Sequence, residues 1–377
     1  MFGLYIHIPY CISKCPYCDF NSKPLEPEEM DRYLAALIEE LRGFSQGNRR
    51  IVETLYLGGG TPSLLTEDQL TGLFGAVRTS FTLFDDAEIT LEVNPGTLDP
   101  RKAAHLRSLG VNRISLGVQS LQDPLLLRLG RKHDARMALE AFEILRTEGF
   151  SNIAVDLMYG LPGQGHDDWI ADLDVLLTME PEHLSLYCLS VEPGTPFAAA
   201  EAEGQLVLPG DGKTVEMYES ALEKTAEAGY EHYEISNYAR AGYRSRHNCL
   251  YWTVQEYYGA GAGAHSFLTM DGPIRFRNAG DPASYIRKMG NTGDPVSRRE
   301  LLPKKTLLGE SLMLGLRMIE GVDMIDFTQR FGTDPLAYFS TALRKAREHG
   351  WIEQTENQLR LTPSGVLFSN EVFSGLF

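Results

Sequence analysis

Short apolar runs alternate with longer amphipathic ones through the first half of this chain, and that alternation constrains the fold more than any other feature. The runs lie at 4–8, 54–57, 89–93, 114–118, 153–157 and 184–189. Between them, 28–44 carries Met30, Tyr33, Leu34, Leu37, Ile38 and Leu41 at helical spacing. The segments 134–148 and 164–178 repeat that logic. Six strand–helix repeats predict an α/β fold whose parallel sheet has right-handed crossovers. Curled, such a sheet is an incomplete (β/α)6 barrel.

The rest of the chain changes character. Residues 214–228 read as a helix with Met217, Tyr218, Ala221, Leu222 and Thr225 on one side, and 230–236 as an edge strand. Residues 237–301 are rich in glycine, aromatics and arginine with little periodicity, and read as a structured bridging region. Residues 302–377 read as helices around a small hairpin, the order of a winged-helix-like module. The expected divisions are therefore 1–236, 237–301 and 302–377. A chain of 377 residues with 43% apolar content can bury a sizeable core. A formal charge of -16 argues against nucleic acid as a partner. No apolar stretch approaches the ~20 residues that span a membrane. The apolar start lacks a basic n-region, which predicts a cytoplasmic chain.

Polar residues cluster where the predicted strands end. Cys11, Cys15 and Cys18 follow the first run, and Gly58-Gly59-Gly60-Thr61-Pro62 the second. Glu92 and Asn94 end the third, Gln119 the fourth, and Asp156 and Tyr159 the fifth. Ligand sites gather at that edge in parallel α/β folds. Glu92 sits in an apolar run, where an acid is costly unless it finds a donor. The glycines allow close backbone approach to a ligand, or simply a tight turn.

Three of the five cysteines fall within eight residues, at i, i+4 and i+7. Thiolates are soft ligands for iron and zinc. Three protein ligands leave one position open to something other than protein. Structural zinc would want a fourth ligand, yet Cys188 and Cys249 are isolated. Cys188 falls in a predicted strand and reads as an inert core residue. Stable disulfides are uncommon in the cytosol.

The string Cys11-Ile12-Ser13-Lys14-Cys15-Pro16-Tyr17-Cys18, with His7-Ile8-Pro9-Tyr10 before it and Asp19-Phe20-Asn21 after it, resembles the radical S-adenosylmethionine superfamily. It is similar to the branch that holds oxygen-independent coproporphyrinogen III oxidases and heme chaperones. The resemblance implies the barrel fold and a [4Fe–4S] cluster on Cys11, Cys15 and Cys18, whose fourth iron is met by S-adenosylmethionine. It implies that Gly59, Gly60 and Thr61 support the methionine end of that cofactor. Glu92, Gln119, Arg131 and Asp156 match further cofactor contacts.

Within the branch, His247-Asn248-Cys249-Leu250-Tyr251-Trp252 is similar to the heme-chaperone pattern. Phe20 stands where the oxidase pattern has a further cysteine. Heme would then be a ligand, with His247 donating a ring nitrogen and Tyr251 and Trp252 covering the macrocycle. Arg244 or Arg246 would pair with a propionate. His265, in Gly259-Ala260-Gly261-Ala262-Gly263-Ala264-His265-Ser266, is a second heme candidate, its small neighbours letting a planar ligand approach. The implied partners are heme-accepting apoproteins, membrane-associated respiratory enzymes among them, and an electron donor where the cluster is reduced. The chain would act as a monomer or homodimer. The alternatives are the oxidase itself, which decarboxylates coproporphyrinogen III, and a zinc-stabilised binding protein.

Overall fold

The computed structural model describes residues 1–44, 49–269 and 272–377. Six strands follow the predicted runs: β1 (Phe2–Ile8), β2 (Ile51–Gly59), β3 (Thr82–Val93), β4 (Arg113–Gln119), β5 (Ile153–Tyr159) and β6 (His183–Cys188). They pair in sequence order, all parallel. Beyond β6 lie the antiparallel β8 (Asn237–Ala239) and, at the edge, β7 (Glu231–Glu234).

The segment 237–301 is more regular than its sequence suggests. It supplies β9 (Glu256–Ala260), β10 (His265–Leu268), β11 (Ile274–Asn278) and β12 (Val296–Leu301). β9 pairs parallel with β1, and the other three continue antiparallel outward. One twelve-stranded sheet results, in the order β12-β11-β10-β9-β1-β2-β3-β4-β5-β6-β8-β7. The bridging region is thus an extension of the barrel sheet, with a seventh parallel strand.

Each barrel strand has two unlike faces. Leu55, Leu57, Ile89, Leu91, Ile114, Leu116, Val155, Leu157, Leu184 and Leu186 are buried in the main core. The alternate positions are mostly polar: Thr54 and Tyr56, Thr90 and Glu92, Arg113, Ser115 and Gln119, Asp156, then His183 and Ser185. Successive side chains on a strand point to opposite faces, so the polar set shares the lumen.

The helices that cover the apolar face start where their caps dictate. Pro27–Phe44 opens on a proline with Glu28 and Glu29 in its first turn, acids that complement the helix dipole. It buries Met30, Tyr33, Leu34, Leu37 and Leu41. Truncating one such leucine to alanine costs about 2–5 kcal/mol. Thr66 and Gln69 form a reciprocal capping box before Glu67–Ser80, and Asp134 caps Ala135–Thr147. No described helix is long and apolar enough to cross a membrane.

The C-terminal part has a three-stranded sheet, with Gln358–Leu361 between Val322–Asp323 and Ile352–Gln354. Two helices, Pro335–Tyr338 and Ser340–Glu348, follow each other with a break at Phe339. Phe339 turns inward to the core there.

Candidate functional site

A cavity of about 530 Å³ opens at the C-terminal ends of the barrel strands and runs down the lumen. Cys11, Cys15 and Cys18 line it, together with Gly59, Gly60, Thr61, Glu92, Gln119, Arg131 and Asp156. Every site residue expected on the barrel therefore meets in one space.

The cysteine loop leaves β1 and is held at both ends. The turn between the last two cysteines closes with Cys18 N–H donating to Cys15 O at 3.1 Å. At the exit, His7 Nε2 donates to Asn21 O at 2.8 Å, and Tyr5 O–H donates to His7 Nδ1 at 2.9 Å. Asn21 Nδ2 in turn donates to Ala262 O and Gly280 O, both at 2.8 Å. This explains the glycine- and alanine-rich string. A Cβ on Gly263 would stand 2.5 Å from Asn21 Nδ2, and one on Gly261 2.7 Å from His7 O. The small residues make room for the cysteine loop, which corrects the expectation that they admit a planar ligand. Burial pushes the Cys11 and Cys18 thiols up, and the Thr61 and Ser22 hydroxyls pull Cys11 back.

The glycines after β2 are likewise demanded by the chain itself. Gly59 has φ +112, and a Cβ there would lie 2.3 Å from the His7 ring. One on Gly60 would lie 2.6 Å from Tyr10 O. Thr61 N–H donates to Tyr10 O, and Thr61 Oγ1 accepts from Asn94 Nδ2, both at 2.8 Å.

Glu92 is held by two donors: Tyr56 O–H at 2.8 Å and Gly59 N–H at 2.9 Å. Burial pushes its carboxyl up to about 7. Asp156 accepts from the Ser115 hydroxyl at 3.2 Å, and burial raises it too. Gln119 adopts φ 71, a left-handed backbone uncommon for a non-glycine residue, and accepts from Tyr187 O–H at 2.7 Å. Strain of this kind clusters at functional sites. Arg131 donates to Gly117 O at 2.9 Å and to Asn94 Oδ1, and its Nη1 stands 3.9 Å from Cys15 Sγ. Its Nε is buried without a partner.

Of the string 247–252, only Asn248 reaches the cavity wall. The string forms most of the helix Arg246–Trp252, which closes the opposite end of the barrel. His247 is 1% exposed. Its Nδ1 bonds Thr54 Oγ1 and its Nε2 bonds Tyr251 Oη, both at 2.8 Å. Both ring nitrogens are engaged, so His247 does not offer one to iron. Burial pushes its imidazole down to about 3. Trp252 packs with Tyr233, Ala239 and Met318 under the Arg317 guanidinium, 4.4 Å from the ring centroid. Neither Tyr251 nor Trp252 lines the cavity. Arg244 pairs with Glu231 and Glu320, and Arg246 with Asp86, so these arginines already have carboxylate partners. His265 is exposed on β10, opposite Arg277.

The heme chaperone HemW of Bacillus subtilis is 37% identical over 375 residues, covering 99% of this chain and 98% of that one. The heme chaperone HemW of Escherichia coli is 36% identical, covering 98% and 96%. The chain belongs to the HemW family. The radical SAM superfamily model matches residues 5–176, and the HemN C-terminal domain model residues 302–368. The structure of coproporphyrinogen III oxidase (HemN) from Escherichia coli superposes with a TM-score of 0.86 at 22% identity, covering 100% of this chain and 89% of that one. HemW-family membership and this fold thus agree along the whole chain.

Several cavity residues escaped the sequence reading. Tyr56, Arg113, Ser115, Ser185 and Tyr187 all line the lumen. Their signal was the period of two: Arg113, Ser115, Gly117 and Gln119 alternate with Ile114, Leu116 and Val118. Cys188 was expected in the core, but it is exposed and borders the cavity where β6 ends. His133 is buried beside the site, its Nε2 donating to Val118 O at 3.0 Å.

Proposed function

We propose that this chain is a heme chaperone, holding a [4Fe–4S] cluster and S-adenosylmethionine in the barrel and passing heme to acceptor proteins. Kinship along nearly the whole chain to proteins named heme chaperones carries this reading. The cavity supports it. Its three thiols share one rim, and a guanidinium beside Cys15 keeps a donor without a partner. Among the described residues no three ligand side chains converge as around a single ion. Three sulfurs serving three separate irons do not need to converge.

When bound, the cluster and its cofactor supply one-electron chemistry at a sulfur–carbon bond. Cys11, Cys15 and Cys18 would hold the irons. Arg131 would take the cofactor carboxylate through Nε, since guanidinium geometry suits carboxylates. Glu92 would accept from its amino group, and Gln119 and Asp156 would meet the ribose hydroxyls. Gly59, Gly60 and Thr61 would flank the methionine end. Acceptors are heme-binding apoproteins, and an electron donor acts where the cluster is reduced.

The oxidase reading has less behind it. A likeness at 22% identity speaks to fold alone. Phe20, at the place of the oxidase's further cysteine, offers no thiolate.

The test is anaerobic reconstitution followed by hemin titration, transfer to an apo-heme protein and a coproporphyrinogen III assay. Iron and sulfide should be bound, hemin taken up and passed on, and no decarboxylated product formed. Replacing Cys11, Cys15 and Cys18 by Ala should remove most of the iron, whereas Cys188→Ala and Cys249→Ala should keep it. Full iron in the triple variant would sink the cluster assignment. Stoichiometric protoporphyrinogen IX would install the oxidase.

A further inference from the structure

The lumen ends on a guanidinium that no described residue pairs. Arg113 opens β4, six residues before Gln119, so its Cα lies about 20 Å below the rim at ~3.3 Å per residue. It is 2% exposed, its Nε is buried without a partner, and it forms part of the cavity wall. Among the described residues its side chain makes no ion pair and no hydrogen bond.

A buried unpaired charge costs several kcal/mol, so a fold retains one only where something offsets it. Glu92 and Asp156 face the same lumen and feel its charge through space, yet neither forms an ion pair with it. Glu92 is taken up by Tyr56 and Gly59, and Asp156 by Ser115. The guanidinium fork therefore stays open toward the cavity.

The helix at the floor adds a second group. The bonds of His247 to Thr54 and Tyr251 fix that helix against β2. The next residue, Asn248, lines the cavity, and its side-chain amide makes no hydrogen bond among the described residues. An arginine fork and an amide donor facing one space form a carboxylate receptor. At the mouth, Ile12 and Phe20 are 55% and 61% exposed and line the same cavity. A ligand that suits both ends is flat and apolar with carboxylate arms.

We propose that Arg113, aided by Asn248, anchors a propionate of a porphyrin that enters the lumen edge-on, propionates first. This rests on the heme-chaperone reading and adds a binding residue and an orientation to it.

The test compares hemin with hemin dimethyl ester, whose propionates are blocked, on the full-length protein. Wild-type protein should bind hemin at least tenfold more tightly than the diester. Arg113→Gln should lose that preference by weakening hemin alone, and Arg113→Lys should keep part of it. Asn248→Asp is nearly isosteric and sets a competing carboxylate at the floor. It should lose the preference too, which decides the matter even where Arg113→Gln fails to fold. Equal binding of hemin and diester by wild-type protein overturns the anchor and leaves the chaperone reading standing. An undiminished preference in Asn248→Asp or in folded Arg113→Gln does the same. A wild-type protein that binds neither compound overturns both.

Discussion

At the scale of single residues, the carboxyl of Glu92 carries the most direct consequence. Burial lifts it from 4.5 to about 7. The folded chain then holds a proton between those values that the unfolded chain has released. Its contribution to stability therefore falls as pH rises from 4.5 to 7. Binding runs the other way. If ionised Glu92 accepts from the cofactor's amino group, S-adenosylmethionine should bind more weakly as pH drops below about 7, by up to about tenfold per unit. Glu92→Gln should bind weakly with a flat profile. Calorimetric titration between pH 6 and 8 reads both, and a flat wild-type profile would remove Glu92 from that role. The residue was legible because an acid inside an apolar run needs a reason. Arg113 was not, because a charged residue at the first position of a run looks like a strand terminus. Only the period of two, read across five strands together, marks it as lumenal.

Elements were legible in proportion to how regularly they alternate. The six barrel strands each carry an apolar outer face, and helices must cover it. β9 was missed because Glu256-Tyr257-Tyr258-Gly259-Ala260 has no aliphatic run. Its Gly259 is required by contact, since a Cβ there would stand 2.1 Å from His265 O. That strand is held from outside by Glu40 on the first helix. Glu40 accepts from Tyr258 O–H at 2.9 Å, Gly261 N–H at 2.8 Å, Asn278 Nδ2 at 2.7 Å and Tyr285 O–H. Glu40→Ala would leave these buried donors unpaired and should cost roughly 3–5 kcal/mol in urea unfolding. A loss below 1 kcal/mol would show that the network is dispensable. The floor helix gives a second case. His247 stays neutral in the fold because burial holds it near 3, whereas the unfolded imidazole titrates near 6.5. Its share of stability is thus present above 6.5 and is lost as pH falls below that value. His247→Ala should be destabilised by about 2–4 kcal/mol at pH 7.5, with a smaller deficit at pH 5. A deficit that grows on acidification would contradict the neutral, doubly bonded ring. Hemin bound to folded His247→Ala should keep the wild-type spectrum, since the ring has no nitrogen free for iron.

Over the whole molecule, the sheet, the floor helix and the C-terminal part meet at one arginine. Ile235 N–H donates to Arg317 O at 3.2 Å, and Ile319 N–H to Tyr233 O at 3.1 Å, so the C-terminal part covers the open edge at β7. Arg317 lies over Trp252 of the floor helix and pairs at 3.4 Å with Glu234 of β7, whose side chain is 0% exposed. No sequence pattern could foretell this junction, because Arg317 lies more than sixty residues from Glu234 and Trp252 and belongs to no motif. Burial raises the Glu234 carboxyl, and Arg317 pulls it back down. Removing Arg317 leaves a buried carboxylate unpaired, a loss of about 3–5 kcal/mol. The deficit has a pH signature. Without Arg317 the folded chain keeps the Glu234 proton to higher pH than the unfolded chain does. The penalty therefore grows as pH rises and shrinks toward pH 5. Arg317→Ala should show a much lower urea midpoint at pH 8 than at pH 5, relative to wild type. Glu234→Gln combined with Arg317→Ala should recover part of the loss at pH 8, because no charge is left stranded. A deficit that does not vary with pH, or a double variant no better than the single one, would mean that Arg317 acts by packing on Trp252 and that the ion pair does not tie the C-terminal part to the barrel.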